Sequence, residues 1–152
     1  MSMLPLLGVL TVTLFIFIFA GRKIHNEKLS LKEFWALVFL PSILLNVFSY
    51  IEMVFHTHNL ISGFSSIFVI SIVSFIVMLP ALILYAVLIL SLEKRFSPPA
   101  WKLFLWTGVV AGLSALPYDL MFGKWNFSWI AIVTGTLSMM IVYYFSRWRD
   151  KK

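Results

Sequence analysis

The stretch that decides the fold is residues 66–92, SIFVISIVSFIVMLPALILYAVLILSL, which contains no Asp, Glu, Lys or Arg. It is longer than the about 20 apolar residues that cross the hydrocarbon core of a bilayer. Pro80 lies near its middle, so we expect a kink or a tilt. Of the 152 residues in the chain, 61% are hydrophobic and 12% are charged, too few polar groups to cover a soluble domain. The stretch therefore predicts a membrane-spanning helix.

Four further apolar runs of suitable length occur in the chain, separated by short polar or basic segments. We therefore predict an all-α integral membrane protein, a bundle of five transmembrane helices that forms a single transmembrane domain over residues 1–152. The predicted spans cover about residues 4–20, 34–55, 66–92, 101–117 and 127–145.

The Lys and Arg residues predict the orientation, because positive residues beside spans are retained on the cytoplasmic side. They are concentrated after the first span, between the third and fourth spans, and after the fifth. Five spans put these three segments on one side, whereas four or six would divide them. We expect the N-terminus outside and the C-terminus in the cytoplasm, and small size with basic inner loops points to a bacterial inner (plasma) membrane. The main basic residues are Arg22, Lys23, Lys28, Lys32, Lys94, Arg95, Lys102, Arg147, Arg149, Lys151 and Lys152.

The net charge of +6 lies in these flanking segments, where the membrane explains it, so no nucleic-acid partner is expected. The chain contains no cysteine, which excludes thiolate nucleophiles, Cys-ligated zinc and iron–sulfur clusters. No cofactor is predicted. The expected partners are the lipid bilayer and either another membrane protein or a second copy of the chain.

A polar stripe follows one face of the second span. Ser42, Asn46, Ser49, Glu52 and His56 recur at spacings of three and four residues, which is the helical repeat. An amide and a carboxylate are costly against hydrocarbon, so this face is expected to meet other helices, water or a ligand. Hydrogen bonding between packed helices is one interpretation. The other is a polar pocket that opens outward and binds a head group, a small polar ligand or a partner's side chain.

The outer end of the stripe carries residues that can ligate a metal. Glu52, His56 and His58 offer a carboxylate and two imidazoles, although His-x-His at a helix end aims its rings apart. Interfacial histidines are therefore the favoured interpretation. Asp119, at the outer end of the fourth span, could supply a further oxygen or act with Glu52 as general acid and base. No catalytic residue is assigned.

Small residues lie on the last two spans at positions suited to close helix packing. Packing within the chain is the favoured interpretation, and oligomerisation is the alternative. The residues are Gly108, Gly112, Thr134, Gly135 and Ser138.

The segment DLMFGKWNF, residues 119–127, resembles the Asp then Gly-x-Trp-x-Phe segment of small membrane-embedded lycopene cyclases. The paired glutamates that such enzymes place on a following helix are missing from the fifth span. We assign the chain to no family on this resemblance.

Three functions fit these features. The favoured one is non-enzymatic: helix–helix contacts within the bilayer, as a subunit, an assembly factor or an immunity or exclusion protein. The alternative is a membrane enzyme or binding protein for a lipid or isoprenoid, with an outward-facing polar pocket formed by the stripe and Asp119. The third is an oligomeric transporter.

Overall fold

The computed structural model describes residues 4–57, 64–122 and 126–152. These residues form five α-helices, and no strand occurs within the described ranges. The helices are α1 (Leu4–Glu27), α2 (Leu31–Thr57), α3 (Phe64–Phe96), α4 (Ala100–Phe122) and α5 (Asn126–Asp150). The predicted all-α class is confirmed, and each helix contains the whole of the span predicted for it.

Four helices contain segments that are long and apolar enough to cross a membrane, and this composition is that of a membrane protein. In the described part of the chain α1 is not among them. Its apolar run ends before Arg22, and its C-terminal turns carry Arg22, Lys23 and Glu27. The four segments are Leu31–His56, Ser71–Phe96, Ala100–Leu120 and Ser128–Asp150.

Tight turns connect α1 to α2 and α3 to α4. Each includes a residue in the left-handed backbone conformation, Lys28 with a φ of 50° and Ser97 with a φ of 43°. This conformation ends a helix, and the N–H of Leu29 donates to the carbonyl oxygen of Ile24 at 3.1 Å. Ser30 then accepts a hydrogen bond on its hydroxyl from the N–H of Glu33 at 3.5 Å, at the start of α2. The chain thereby reverses direction at both turns, after which α4 packs on α3, whereas α1 packs mainly on α3 rather than on α2.

The largest fully buried apolar side chains share one half of the bundle. Leu37, Ile83, Ile89, Leu103 and Met139 are no more than 1% exposed. Each lies in the half of its helix nearer the two tight turns and the end of α5. The core is therefore densest at this end, which we call the basic end because Lys28, Lys94 and Arg147 lie there.

Small residues bring α4 and α5 close together. A methyl group placed on Gly135 would lie 2.8 Å from the Cβ of Ala111, well inside van der Waals contact. One placed on Gly112 would lie 3.0 Å from the side chain of Ile132. These contacts confirm the predicted packing of small residues within the chain, since only glycine permits backbones to approach so closely.

A proline lies inside each of α2, α3 and α4, at Pro41, Pro80 and Pro117. A proline lacks the N–H that would bond the carbonyl one turn earlier, so the helix is locally weakened. Near Pro80, the hydroxyl of Tyr118 on α4 donates to the carbonyl oxygen of Val77 on α3 at 2.6 Å. This hydrogen bond joins the two helices beside the weakened turn.

Candidate functional site

A cavity of about 410 Å³ lies between α2, α3, α4 and α5, toward the end of the bundle away from the basic end. We call it the bundle cavity. Its volume falls in the roughly 300–1,000 Å³ range of small-molecule sites. Most of its wall is apolar, with side chains such as Phe75, Met78 and Leu82. Its polar lining residues are Ser42, Asn46, Ser49, Ser71, Tyr85, Ser114 and Thr134.

Three residues of the polar stripe, Ser42, Asn46 and Ser49, line this cavity from α2. Their spacing of four and three residues places them on the same helix face. Ser42 and Asn46 are partly buried between helices, where a hydroxyl and an amide avoid the hydrocarbon of the lipid, whereas Ser49 is exposed. Whether they bind a ligand stays a prediction from the sequence.

Asn46 carries the only side-chain amide among the described residues that line the bundle cavity. Its amide offers two donors and an acceptor, and it makes no hydrogen bond to the residues that the structure describes. By contrast, Tyr85 donates its hydroxyl to the carbonyl oxygen of Gly135 at 2.8 Å, and Thr134 donates to that of Ile130 at 2.7 Å. An amide in apolar surroundings gains free energy from any polar group that reaches it, so Asn46 can orient a ligand.

Glu52 and His56 lie further along α2 and are exposed. Neither is among the described residues that line the bundle cavity. His58 lies outside the described residues, so the metal hypothesis on Glu52, His56 and His58 stays a prediction. Within 4–57, 64–122 and 126–152, no group of three or more His, Cys, Asp and Glu could hold a metal ion.

Asp119 has a defined structural contact. It is buried near the end of α4, and its Oδ2 accepts a hydrogen bond from the N–H of Ser128 at 3.1 Å. Ser128 lies in the first turn of α5, where N–H groups lack helical acceptors and the helix dipole favours a negative charge. Asp119 therefore caps α5 and holds it to α4, and it is not among the described residues that line the bundle cavity.

A second pocket, of about 530 Å³, lies at the basic end and was not predicted from the sequence. We call it the basic-end pocket. Residues of the α1–α2 turn, the end of α3 and the end of α5 line it together. The sequence signal was the set of charged segments after the first, third and fifth spans, although their convergence requires the tertiary fold. Its charged lining residues are Lys28, Glu33, Glu93, Lys94, Arg147 and Asp150.

Polar contacts tie α1 to α3 beside this pocket. The hydroxyl of Ser91 donates to Oε2 of Glu27 at 2.5 Å, and Lys23 forms an ion pair with Glu27 at 3.5 Å. The hydrogen bond from Ser91 and, less strongly, the charge of Lys23 hold the pKa of Glu27 below its ordinary value. Lys94 donates from its ammonium to the carbonyl oxygens of Glu27 and Lys28, which end α1.

Comparison of the chain with protein families, with curated proteins and with solved structures finds no match. The two pockets and the residues that line them are therefore the features that bear on function.

Proposed function

We propose that the chain is a five-span protein of the bacterial inner membrane, with its N-terminus outside and its basic end in the cytoplasm, that binds a neutral lipid or isoprenoid in the bundle cavity. The observation that carries this proposal is the amide of Asn46, which lines a largely apolar cavity and has no hydrogen-bond partner among the described residues.

The orientation is supported by the meeting of charged segments at one end of the bundle. Lys28 follows α1, Lys94 ends α3 and Arg147 lies in the last turn of α5, and all three line the basic-end pocket. Positive residues that share one end of a bundle are retained together in the cytoplasm.

The proposed topology also requires that α1 crosses the bilayer as the first span. α1 packs against α3, where Ala20 is buried and Ile16 and Ile24 lie partly buried against the core. Its other faces expose large apolar side chains, including Phe15 and Phe17, which suit contact with lipid. With α1 across the bilayer, the number of spans is odd and the two termini lie on opposite sides.

The ligand class follows from what lines the bundle cavity. None of its described lining residues carries a charge, and a charged group in such surroundings is costly. A ligand with an apolar chain fits the walls formed by Phe75, Met78 and Leu82. One hydroxyl or carbonyl on that chain can bond Asn46. These features favour binding over catalysis, because the described lining offers no carboxylate or imidazole to act as acid or base.

The helix-contact function is the second candidate, and the position of α1 favours it. α1 packs mainly against α3, so most of the apolar surface of α1 is available to lipid or to another membrane protein. A subunit or an assembly factor could use this surface.

One purification separates the two candidates. The chain is purified in mild detergent as the wild type, as Asn46→Leu and as Phe48→Leu, and its bound lipids are extracted and measured by mass spectrometry. Asn46→Leu keeps the branched shape of the side chain and removes its hydrogen-bonding groups, whereas Phe48 is exposed on the same helix and serves as the matched control. We expect a neutral lipid or isoprenoid, bound in stoichiometric amount, to fall about tenfold in Asn46→Leu alone.

Equal lipid content in all three proteins would contradict the binding function. A stoichiometric protein partner found with that result would support the helix-contact function instead.

A further inference from the structure

The basic-end pocket is a second site with a chemistry of its own. It shares no lining residue with the bundle cavity. Leu29, Leu90, Met139 and Val142 contribute apolar surface to it, and the other lining residues include charged side chains of both signs. A pocket of about 530 Å³ with this lining can accept a polar group that continues into an apolar chain.

Two carboxylates of this pocket form no ion pair with the residues that the structure describes. Glu33 and Glu93 are both partly buried and lie close enough to repel each other. Glu33 accepts a hydrogen bond from the hydroxyl of Ser146 at 3.1 Å. The side chain of Glu93 has no hydrogen bond or ion pair with the part of the chain that the structure describes. Repelling carboxylates of this kind favour a ligand cation that can donate hydrogen bonds to both.

The pocket's own cations do not fill this role. Lys94 is the basic residue nearest to Glu93 in the chain, yet its ammonium donates to the carbonyl oxygens of Glu27 and Lys28. The guanidinium of Arg147 lies 4.7 Å from the centre of the Tyr143 ring, which it covers as a cation–π pair. Arg147 and Lys28 are exposed, so both keep N–H donors for a ligand anion.

We propose that the basic-end pocket binds a zwitterionic ethanolamine phosphate head group. The primary ammonium of the ligand lies between Glu33 and Glu93, and its phosphate meets Lys28 and Arg147. A metal cation alone would leave the two basic residues without a partner, and an anionic head group would be repelled by the carboxylates. The apolar side chains of Leu90, Met139 and Val142 favour the intact lipid, whose glycerol and chains continue past the head group.

The test compares lipids with identical acyl chains and different head groups. Phosphatidylethanolamine, phosphatidylcholine and phosphatidylglycerol are titrated into the full chain in detergent, and bound lipid is counted by native mass spectrometry. Phosphatidylcholine keeps the positive charge but has no N–H, so it cannot donate to the carboxylates. We expect phosphatidylethanolamine to bind about tenfold more tightly than phosphatidylcholine, since a charge-assisted hydrogen bond contributes roughly that factor.

The variant E33Q/E93Q should lose most of this preference, because it removes both negative charges without changing side-chain size and leaves only neutral amide oxygens to accept from the ammonium. Glu52→Gln is the matched control, since Glu52 is an exposed carboxylate on α2 that is not among the described residues lining the pocket, and it should keep the tenfold preference. If the double variant does not fold, Glu93→Gln is used alone, and the preference of the wild type still decides the proposal.

The source of the head group is distinguished by competition with soluble glycerophosphoethanolamine. If glycerophosphoethanolamine competes with an affinity equal to that of the intact lipid, the ligand is the free head group. If it does not compete, the ligand is the lipid. Equal binding of phosphatidylethanolamine and phosphatidylcholine by the wild type, tighter binding of phosphatidylglycerol, or an unchanged preference in E33Q/E93Q would overturn the proposal.

Discussion

Tyr85 on α3 donates a hydrogen bond from its hydroxyl to the carbonyl oxygen of Gly135 on α5, at 2.8 Å. Both residues line the bundle cavity, and Tyr85 is only 3% exposed. The bond crosses the bundle at the same glycine where an added methyl group would lie 2.8 Å from the Cβ of Ala111 on α4. Three helices therefore meet at Gly135.

The substitution Tyr85→Phe removes this hydrogen bond and leaves the aromatic ring in place. We expect the free energy of unfolding to fall by about 0.5–1.5 kcal/mol, the usual contribution of one hydrogen bond, and bonds between membrane helices lie toward the lower end. The measurement is unfolding of the purified chain in mixed detergent micelles, followed by circular dichroism. A loss above 3 kcal/mol would show that the hydroxyl organises more than the single contact to Gly135.

The substitution Gly135→Ala should be more damaging than the loss of this bond. Its added methyl group would lie 2.8 Å from the Cβ of Ala111, and neither atom can rotate away because each is fixed to a helix backbone. α4 and α5 must separate, so we expect a loss of about 1–3 kcal/mol in the same unfolding assay.

Two other glycines are matched controls for this substitution. A methyl group on Gly108 would lie 3.3 Å from Oγ1 of Thr136, so Gly108→Ala should have a smaller effect. Gly21 has nothing within 4 Å of the added atom, and Gly21→Ala should leave the stability unchanged or slightly raise it, since alanine favours a helix. Equal effects at Gly135 and Gly21 would contradict the packing of α4 on α5.

The positions of the helices along the chain were predictable, because a hydrocarbon core requires runs of about 20 apolar residues wherever a helix crosses it. Their ends were not. α3 continues through Glu93, Lys94 and Arg95 to Phe96, and α5 continues to Asp150. The apolar run ends at the first charged residue, whereas the helical hydrogen bonds continue past it.

The candidate site was predictable only where it depends on helical periodicity. Ser42, Asn46 and Ser49 share one face of α2 by spacing alone, and the structure puts all three in the bundle cavity. Glu52 continues the same spacing but is exposed, because the cavity ends before that turn. The facing walls from α4 and α5, and the pairing of Glu33 with Glu93, depend on contacts between helices that a single sequence does not reveal.

The pH dependence of stability should carry a contribution from Glu27. Its pKa is lowered in the folded chain, first by the hydrogen bond from Ser91 and also by Lys23. A carboxyl whose pKa is lowered in the folded chain stabilises the fold when the pH is above its ordinary pKa of 4.5. This contribution is lost as the pH falls through the folded pKa. We therefore expect Glu27→Gln to flatten the dependence of the unfolding free energy on pH below 4.5, and Ser91→Ala to flatten it in part. An identical pH profile for the wild type and Glu27→Gln would contradict this role.

Asp119 offers a test between a structural and a chemical role. As a cap of α5, Asp119→Ala should lower the unfolding free energy by roughly 1 kcal/mol, whereas Asp119→Asn should retain most of the stability because an amide oxygen also accepts from the N–H of Ser128. If Asp119 instead acted as an acid or base, Asp119→Asn would keep the fold and lose the function, because an amide cannot exchange the proton. Stability and bound lipid are measured on the same samples, and a loss of lipid in stable Asp119→Asn would return Asp119 to the site.

The proposed topology can be tested residue by residue because the chain contains no cysteine, so each introduced thiol is unique. Cysteines at Ser2, Asn59 and Lys124 should react with a membrane-impermeant maleimide applied to intact cells. Cysteines at Lys28, Ser97 and Lys152 should react only after the membrane is permeabilised, because the basic segments are retained in the cytoplasm. The pair Ser2→Cys and Lys28→Cys decides whether α1 crosses the bilayer: labelling of only the former from outside places a span between them. Protection of both in intact cells would leave four spans and put the two termini on the same side.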